Sequence, residues 1–289
     1  HLGGSTPLFV DVTAHLQAGE NTVMSEVDST RRADAVPMHH TDWFNHGGLY
    51  RDVELVTVPE VHITNLFVRL PTGGVAVDVT VGGPADGTAE VRIAGLAEAR
   101  IEVRSGTGTA VLDCAPTLWS PDTPHLYDVD VTFGEDRVTD RVGFRTITRQ
   151  GRTILLNGQP LRLRGIGVHE DDRDTGKCSD ADDICRRFAH LRDLGANIAR
   201  AAHYPHHEHV ARIADEVGIL LWEEIPVYWA IAFDNPSTFE NARNQLVELI
   251  RRDANRARDH YGRPDCLLRK ADADRRRRDH RARNCPGPA

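Results

Sequence analysis

The feature that most constrains the fold of this chain is a change of sequence period near residue 147. From about residue 60 to residue 146, apolar and polar side chains alternate in short runs such as VAVDVTV, AEVRIAG and LYDVDVTF, and turn-forming residues separate them. Strict alternation indicates strands with one buried face. About seven strands at this spacing predict an immunoglobulin-like β-sandwich over residues 59–146.

After residue 147, strand-like and helix-like segments alternate. The apolar runs LRLRGIGV, NIARAA and ILLWEE predict three strands. A helix is predicted over residues 181–194, and Gly195 provides its stop. One face of this helix carries Ile184, Phe188, Leu191 and Leu194.

Two further helices follow the second and third predicted strands. One covers about residues 207–217 and ends at Gly218. The other is predicted to begin with a capping box formed by Ser237 and Glu240. Strands and helices that alternate with short links indicate a parallel sheet, here the first three units of a (β/α)8 TIM barrel.

The two ends of the chain have different patterns. The runs PLFVDVT and LYRDVELVTV alternate apolar and polar residues, so residues 1–58 are predicted to form β-strands. Residues 258–289 show neither period and hold ten Lys/Arg against five Asp/Glu. One interpretation is a solvated basic tail.

The composition excludes several classes of protein. No apolar run approaches the roughly 18 residues that a membrane span requires, so no membrane partner is expected. The five cysteines form no Cys-x-x-Cys pair, which argues against a disulfide framework or a thiolate zinc site and favours a cytoplasmic setting. The net charge of -8 gives no reason to expect nucleic-acid binding.

The most conspicuous local motif is HYPHHEH, residues 203–209. A zinc-protease helix requires His-Glu-x-x-His, and that spacing is absent, so no metal ligands are assigned. His206, His207 and His209 are expected to lie in a solvated first helical turn. His203 differs, because it follows a predicted barrel strand, where catalytic groups gather.

The segment around this motif resembles the first signature of glycoside hydrolase family 2, which contains β-galactosidases, β-glucuronidases and β-mannosidases. The matching residues are Asn197, Arg200, His203, Tyr204, Pro205, Asp215 and Gly218. The runs DWFNHGGLYRDV (42–53), LWSPDTPHLYDV and LLNGQPLRLRGIGVHED are similar to other motifs of the family.

The resemblance implies a multidomain β plus α/β architecture. Residues 1–58 would be the C-terminal part of a jelly-roll sugar-binding domain, and residues 59–146 the immunoglobulin-like sandwich. Residues 147–257 would be the first part of the TIM-barrel catalytic domain, and residues 258–289 an aberrant basic tail.

The resemblance also implies a set of substrate-binding candidates. They are Asp42, His169, Glu170, His203, Glu224 and Trp229. Other roles remain open for some of them. Asp42 could be a turn or capping carboxylate, and His169 and Glu170 could form a buried pair that supports the barrel mouth. Arg200 is expected to pair with a carboxylate rather than to bind ligand.

The resemblance leads us to expect that both catalytic glutamates of the family are missing from this sequence. The acid/base glutamate would follow an asparagine after the fourth barrel strand, but the sequence departs from the family pattern at Arg258. We interpret the departure as a reading-frame change. Arg-Asp-His-Tyr can be encoded by CGT-GAT-CAT-TAT, which reads Val-Ile-Ile when shifted by one base.

Three functional hypotheses follow. The first is a fragment of a β-glycosidase for terminal β-linked galactosides or glucuronides that lacks turnover. The second is a non-catalytic carbohydrate-binding or interaction module, and the third is a metal protein that uses the histidine cluster. A β-glycoside is the expected partner, no cofactor is expected, and a homo-oligomer is considered only for the full-length protein.

Overall fold

The computed structural model describes residues 1–83 and 85–256 of the chain. These residues contain a β-sandwich, a parallel strand–helix unit and an N-terminal segment that lies against that unit. Within these residues, no helix combines the length and the apolar composition of a membrane span. The tail predicted for residues 258–289 lies outside the described residues.

The β-sandwich consists of two antiparallel sheets, as the period of two predicts. Its strands are β1 (Ile63–Arg69), β2 (Val75–Val81), β3 (Gly87–Ile93), β4 (Ala97–Val103), β5 (Thr107–Leu112), β6 (Tyr127–Phe133) and β7 (Asp136–Val142). One sheet has the order β1-β2-β5 and the other β4-β3-β6-β7. In β6, Tyr127, Val129, Val131 and Phe133 are buried. Burying each such side chain contributes about 1.5–3 kcal/mol.

The strand–helix unit begins after a small antiparallel sheet. That sheet contains β8 (Ile147–Gln150), β9 (Thr153–Leu156) and β10 (Gln159–Pro160). The parallel strands are β11 (Gly165–Val168), β12 (Ile198–Ala201) and β13 (Leu220–Glu223), and the helices are α1 (Ala181–Asp193), α2 (Glu208–Val217) and α3 (Pro236–Arg252). The order β11-β12-β13 confirms the predicted parallel sheet and is consistent with part of a TIM barrel.

Local sequence signals explain where the helices begin and end. Asp180 and Asp183 form a capping box at the start of α1. Gly218 ends α2 with φ +76°, a conformation that glycine adopts without strain. The predicted capping box at Ser237 is wrong. Asn235 caps α3 instead, because its side chain accepts the Ser237 N–H.

Polar contacts fix the strand–helix unit to the sandwich. The buried Trp119 indole donates to the Asp215 carbonyl oxygen of α2 at 2.8 Å. After α3, the Asn255 side chain accepts the Val68 N–H of β1 at 2.9 Å, and it donates to Asp140 of β7 at 3.0 Å. The sandwich therefore holds both α2 and the residues that follow α3.

The strands predicted in residues 1–58 are wrong for the described structure. The segment contains a single 3-10 turn at Thr13–His15 and no strand. Phe9 and Met24, both apolar residues of this segment, are 89% and 92% exposed. A strand requires a neighbouring strand for its backbone hydrogen bonds, and none of the described residues supplies one here. The assignment of this segment to a jelly-roll domain stays a prediction.

Candidate functional site

The carboxyl ends of the three parallel strands bring several predicted residues together. His169 follows β11, His203 lies shortly after β12, and Glu224 follows β13. The ring centroids of His169 and His203 are 5.2 Å apart. Parallel strands end at the same edge of a sheet, so residues distant in sequence meet there. This edge is the candidate site.

Arg200 and Glu224 form a charged pair at the candidate site. Arg200 donates from Nε to Glu224 Oε1 at 2.7 Å and from Nη2 to Oε2 at 3.0 Å. This bidentate hydrogen bonding raises the pKa of Arg200 above its ordinary value. The pair confirms the expectation that Arg200 binds a carboxylate.

His203 is held by the same charged group. Its Nδ1 lies 3.2 Å from Glu224 Oε2 and 3.1 Å from Arg200 Nη2. When Nδ1 carries a proton it donates to Glu224, and when it does not it accepts from Arg200. Either tautomer therefore keeps the ring in place, and Nε2 makes no hydrogen bond to any of the residues that the structure describes.

Aromatic rings surround His203. The Tyr228 ring centroid lies 4.4 Å from that of His203 at an interplanar angle of 33°, and the Trp43 centroid lies 5.8 Å away. Asp42 accepts a hydrogen bond from the Tyr228 hydroxyl, and this bond raises the pKa of Tyr228. Asp42 thus lies at the candidate site, and its role in substrate binding stays a prediction.

Sequence reasoning missed Trp43 and Tyr228. A signal was available for both, because Trp43 follows Asp42 in the quoted DWFNHGG run and Tyr228 precedes the predicted Trp229. Trp229 itself is 73% exposed with φ +51° and meets Tyr228 edge to face at 5.9 Å. It therefore lies at the outer margin of the site.

His169 and Glu170 occupy different environments although they are adjacent. His169 is exposed at the site, where partial desolvation, followed by the nearby His203, lowers its pKa and favours the neutral ring. Glu170 is fully buried and bonds to Arg51 at 2.9 Å and to the His207 N–H at 2.6 Å. The structure therefore places Glu170 inside the protein as the partner of Arg51, which fits the supporting role that the sequence left open for it.

The predicted solvated turn is wrong for two of the three histidines that follow the site. His206 is only 2% exposed, its Nε2 lies 3.0 Å from the Ala202 carbonyl oxygen, and burial lowers its pKa to about 4. His207 is also buried, and its Nδ1 accepts the His209 N–H as the cap of α2. Arg252 of α3 donates to the His206 carbonyl at 2.7 Å, a contact from a distant part of the sequence.

A buried lysine lies behind the site. Lys177 places its ammonium group 3.7 Å from the centroid of the Tyr204 ring. Burial lowers the pKa of Lys177, and the carboxylates of Asp171 and Glu170 oppose this shift. Tyr204 donates to Asp171 at 3.2 Å, and burial raises the pKa of its hydroxyl. These contacts join residues that follow β11 to a residue that follows β12, and they were not predicted from the sequence.

The candidate site is distinct from the cleft beside α2. A cleft of about 440 Å³ lies elsewhere, between the sandwich and α2, and charged residues such as Asp130, Arg141 and Glu216 line it. None of the six substrate-binding candidates lines that cleft.

Comparison with known families identifies the two folded regions. A sequence profile described as "Glycosyl hydrolases family 2, TIM barrel domain" matches residues 147–261. A second profile, "Glycosyl hydrolases family 2", matches residues 60–145. The chain belongs to glycosyl hydrolase family 2.

Curated family 2 relatives are similar across both regions. A putative β-glucuronidase of Formosa agariphila is 28% identical over 283 residues, covering 88% of this chain and 33% of its own length. The β-galactosidase of Thermoanaerobacter pseudethanolicus is 29% identical, covering 88% and 37%. The β-glucuronidase of Rattus norvegicus is 31% identical, covering 88% and 45%. The chain thus spans less than half the length of these relatives.

Solved family 2 structures share the fold. A β-galacturonidase from Eisenbergiella tayi, bound to galacturonate, has a TM-score of 0.72 at 27% identity and covers 80% of this chain and 45% of its own. A β-glucuronidase from Lactobacillus rhamnosus has a TM-score of 0.67 at 30% identity, covering 78% and 43%. These solved structures therefore share the fold of this chain over 80% and 78% of its residues.

Proposed function

We propose that this chain is part of a retaining β-glycosidase and that it forms one side of the sugar-binding site. The whole protein would hydrolyse terminal β-linked galactosides or glucuronides. The observation that carries the proposal is the Arg200–Glu224–His203 group at the strand ends, with Trp43 and Tyr228 beside it.

These side chains have the chemistry that a sugar requires. His203 Nε2 and the Asp42 carboxylate can exchange hydrogen bonds with hydroxyl groups, and His169 can do so as a neutral ring. Trp43 and Tyr228 supply apolar faces beside those polar groups, a combination typical of small-molecule sites. Because Glu224 gives both oxygens to Arg200, we assign it to positioning His203.

The same chain is proposed to lack hydrolysis. Retaining glycosidases require two carboxylic groups about 5–5.5 Å apart, one as acid/base and one as nucleophile. Family resemblance places neither of them on a residue of this sequence, which departs from the pattern at Arg258. The expected behaviour of the isolated chain is binding without turnover.

The relatives favour two classes of sugar. Those named β-glucuronidase and β-galacturonidase act on uronides, and one named β-galactosidase acts on galactosides. A turnover assay with 4-methylumbelliferyl β-D-glucuronide and β-D-galactoside tests the proposal on the purified chain. We expect no release of the fluorophore, whereas turnover at about 1–10³ per second would refute the absence of the catalytic groups.

The finer architecture belongs to the same proposal. We assign the sandwich to the immunoglobulin-like type, because its sheets join β1-β2-β5 and β3-β6-β7 with β4 at the edge. Residues 1–58 are assigned to the jelly-roll domain. A cytoplasmic setting is proposed from the cysteine pattern.

A further inference from the structure

Three potential metal ligands meet outside the candidate sugar site. One ligand atom from each of Asp52, His207 and His209 lies within 4.8 Å of the other two. Asp52 belongs to the N-terminal segment, His207 caps α2, and His209 lies in the first turn of that helix. The third ligand therefore comes from a distant part of the sequence, which is why the spacing within HYPHHEH did not indicate a metal site.

The contacts around the cluster hold its members in place. Arg51, next to Asp52, donates to Glu170 at 2.9 Å and to the Pro205 carbonyl at 2.8 Å. The His207 N–H donates to the same Glu170 at 2.6 Å. The rings of His207 and His209 are stacked, with centroids 4.6 Å apart. Glu170 thus anchors both sides of the cluster.

We propose that Asp52, His207 and His209 bind one divalent transition-metal ion of the zinc or nickel class. Two imidazole nitrogens and one carboxylate suit such ions, whereas magnesium and calcium prefer oxygen ligands throughout. Metal–ligand bonds of about 2.0–2.2 Å place the ligand atoms of a tetrahedral site about 3.4 Å apart. The ligand atoms of the three side chains lie within 4.8 Å of one another, so small side-chain rotations are required to bring them to that spacing. The exposed Asp52 has the freedom to make them.

The local charges permit a cation. The positive end of the α2 dipole and the Arg51 guanidinium oppose it. Glu170 neutralises Arg51 through a direct ion pair, and Glu208 adds a carboxylate in the first turn of α2. Asp52 supplies a further negative charge at the ion itself. Three carboxylates, those of Glu170, Glu208 and Asp52, thus accompany the Arg51 guanidinium.

Metal binding would replace one hydrogen bond. His207 Nδ1 accepts the His209 N–H at 3.1 Å, and a ring that accepts at Nδ1 carries its proton on Nε2. Coordination through Nε2 moves that proton to Nδ1 and ends the capping bond, while coordination through Nδ1 displaces it directly. The ion would thus exchange a local cap for a link between the N-terminal segment and α2.

Zinc binding to the metal-free 289-residue chain tests the proposal by equilibrium dialysis and elemental analysis. We expect one zinc ion per chain, and an affinity that falls about tenfold or more in Asp52→Asn, His207→Asn and His209→Gln. Asparagine at position 207 keeps a capping side chain, so loss of binding there is not loss of the helix start. His190→Asn, an exposed histidine on α1, is the matched control and should bind as the original chain does.

A second readout follows from the link itself. Zinc should slow proteolysis within residues 1–58 of the original chain and leave its rate unchanged in Asp52→Asn. Zinc binding that is equal in all three cluster variants and in His190→Asn would overturn the proposal, as would the absence of stoichiometric binding. Either outcome leaves the proposed sugar site untouched, because that site uses other residues.

Discussion

Arg51 and Glu170 form an ion pair inside the protein, with Arg51 Nη2 2.9 Å from Glu170 Oε2. The Glu170 side chain is fully buried and that of Arg51 is 20% exposed. Arg51 also donates to the carbonyl oxygens of Ser5 and Pro205, so a single guanidinium joins the N-terminal segment to the strand–helix unit. Glu170 is therefore a structural carboxylate at the base of the candidate site.

Replacing Arg51 by methionine should destabilise the chain strongly. The change leaves the Glu170 carboxylate buried without its cation, which costs about 3–5 kcal/mol. Arg100→Met is the control, because the Arg100–Glu90 pair is exposed on both sides and such pairs contribute below about 1 kcal/mol. Equal losses of unfolding free energy in urea denaturation would contradict this account.

Removing the Glu224 carboxylate should weaken sugar binding more than stability. Glu224→Gln breaks the bidentate bonds from Arg200 and removes an acceptor for His203, so we expect the affinity for a β-glycoside to fall about tenfold. The pair is partly exposed, so the melting temperature should change little. Glu216→Gln, which breaks the exposed pair with Arg141, is the matched control and should leave binding unaltered.

Two glycines at helix ends separate a steric effect from a conformational one. Gly195 and Gly218 have φ of +73° and +76°, so alanine at either is disfavoured by about 1–2 kcal/mol. A Cβ at Gly218 would also lie 2.3 Å from the Pro121 carbonyl oxygen, whereas a Cβ at Gly195 meets nothing within 4 Å. Gly218→Ala should therefore lose about 1–3 kcal/mol more than Gly195→Ala in denaturant titrations. Similar losses of unfolding free energy in the two variants would show that the loop at Pro121 moves to accommodate the added Cβ.

The pH dependence of stability should reflect the buried His206. Burial lowers its pKa from 6.5 to about 4 in the folded chain, so the unfolded chain binds the extra proton between those values. The contribution of the neutral His206 to the free energy of unfolding is fully present above about pH 6.5. It is lost as the pH falls towards 4, and the loss amounts to at most about 3 kcal/mol. His207 and His169, whose pKa values are also lowered, act in the same direction. His206→Gln should flatten this part of the profile, and an unchanged slope would contradict the assignment.

The strand–helix unit could be predicted from the sequence because its signals are local. The apolar face of α1 and the stop at Gly195 lie within one helix, and the observed end at Asp193 differs from the prediction by one residue. The order of the strands could also be predicted, because short links between strands and helices favour a parallel sheet.

Other features depend on contacts that a local pattern does not contain. Alternation in residues 1–58 shows which side chains could share a face, but not whether a neighbouring strand exists to pair with. A solvated turn was predicted for His206 and His207 because the residues that contact this segment are distant in sequence: Arg51 donates to the Pro205 carbonyl and Arg252 to the His206 carbonyl. The two roles left open for Glu170 could not be separated for the same reason, because its partner Arg51 is distant in sequence.

Binding of methyl β-D-glucuronide and methyl β-D-galactoside to the purified chain tests the central claim most directly. Saturation-transfer NMR should detect binding of at least one of these sugars, and His203→Ala should weaken it about tenfold or more. The exposed histidine change His190→Ala should leave it as it was. Failure of both sugars to bind, or binding equal in His203→Ala, would contradict a sugar site at the ends of β11, β12 and β13.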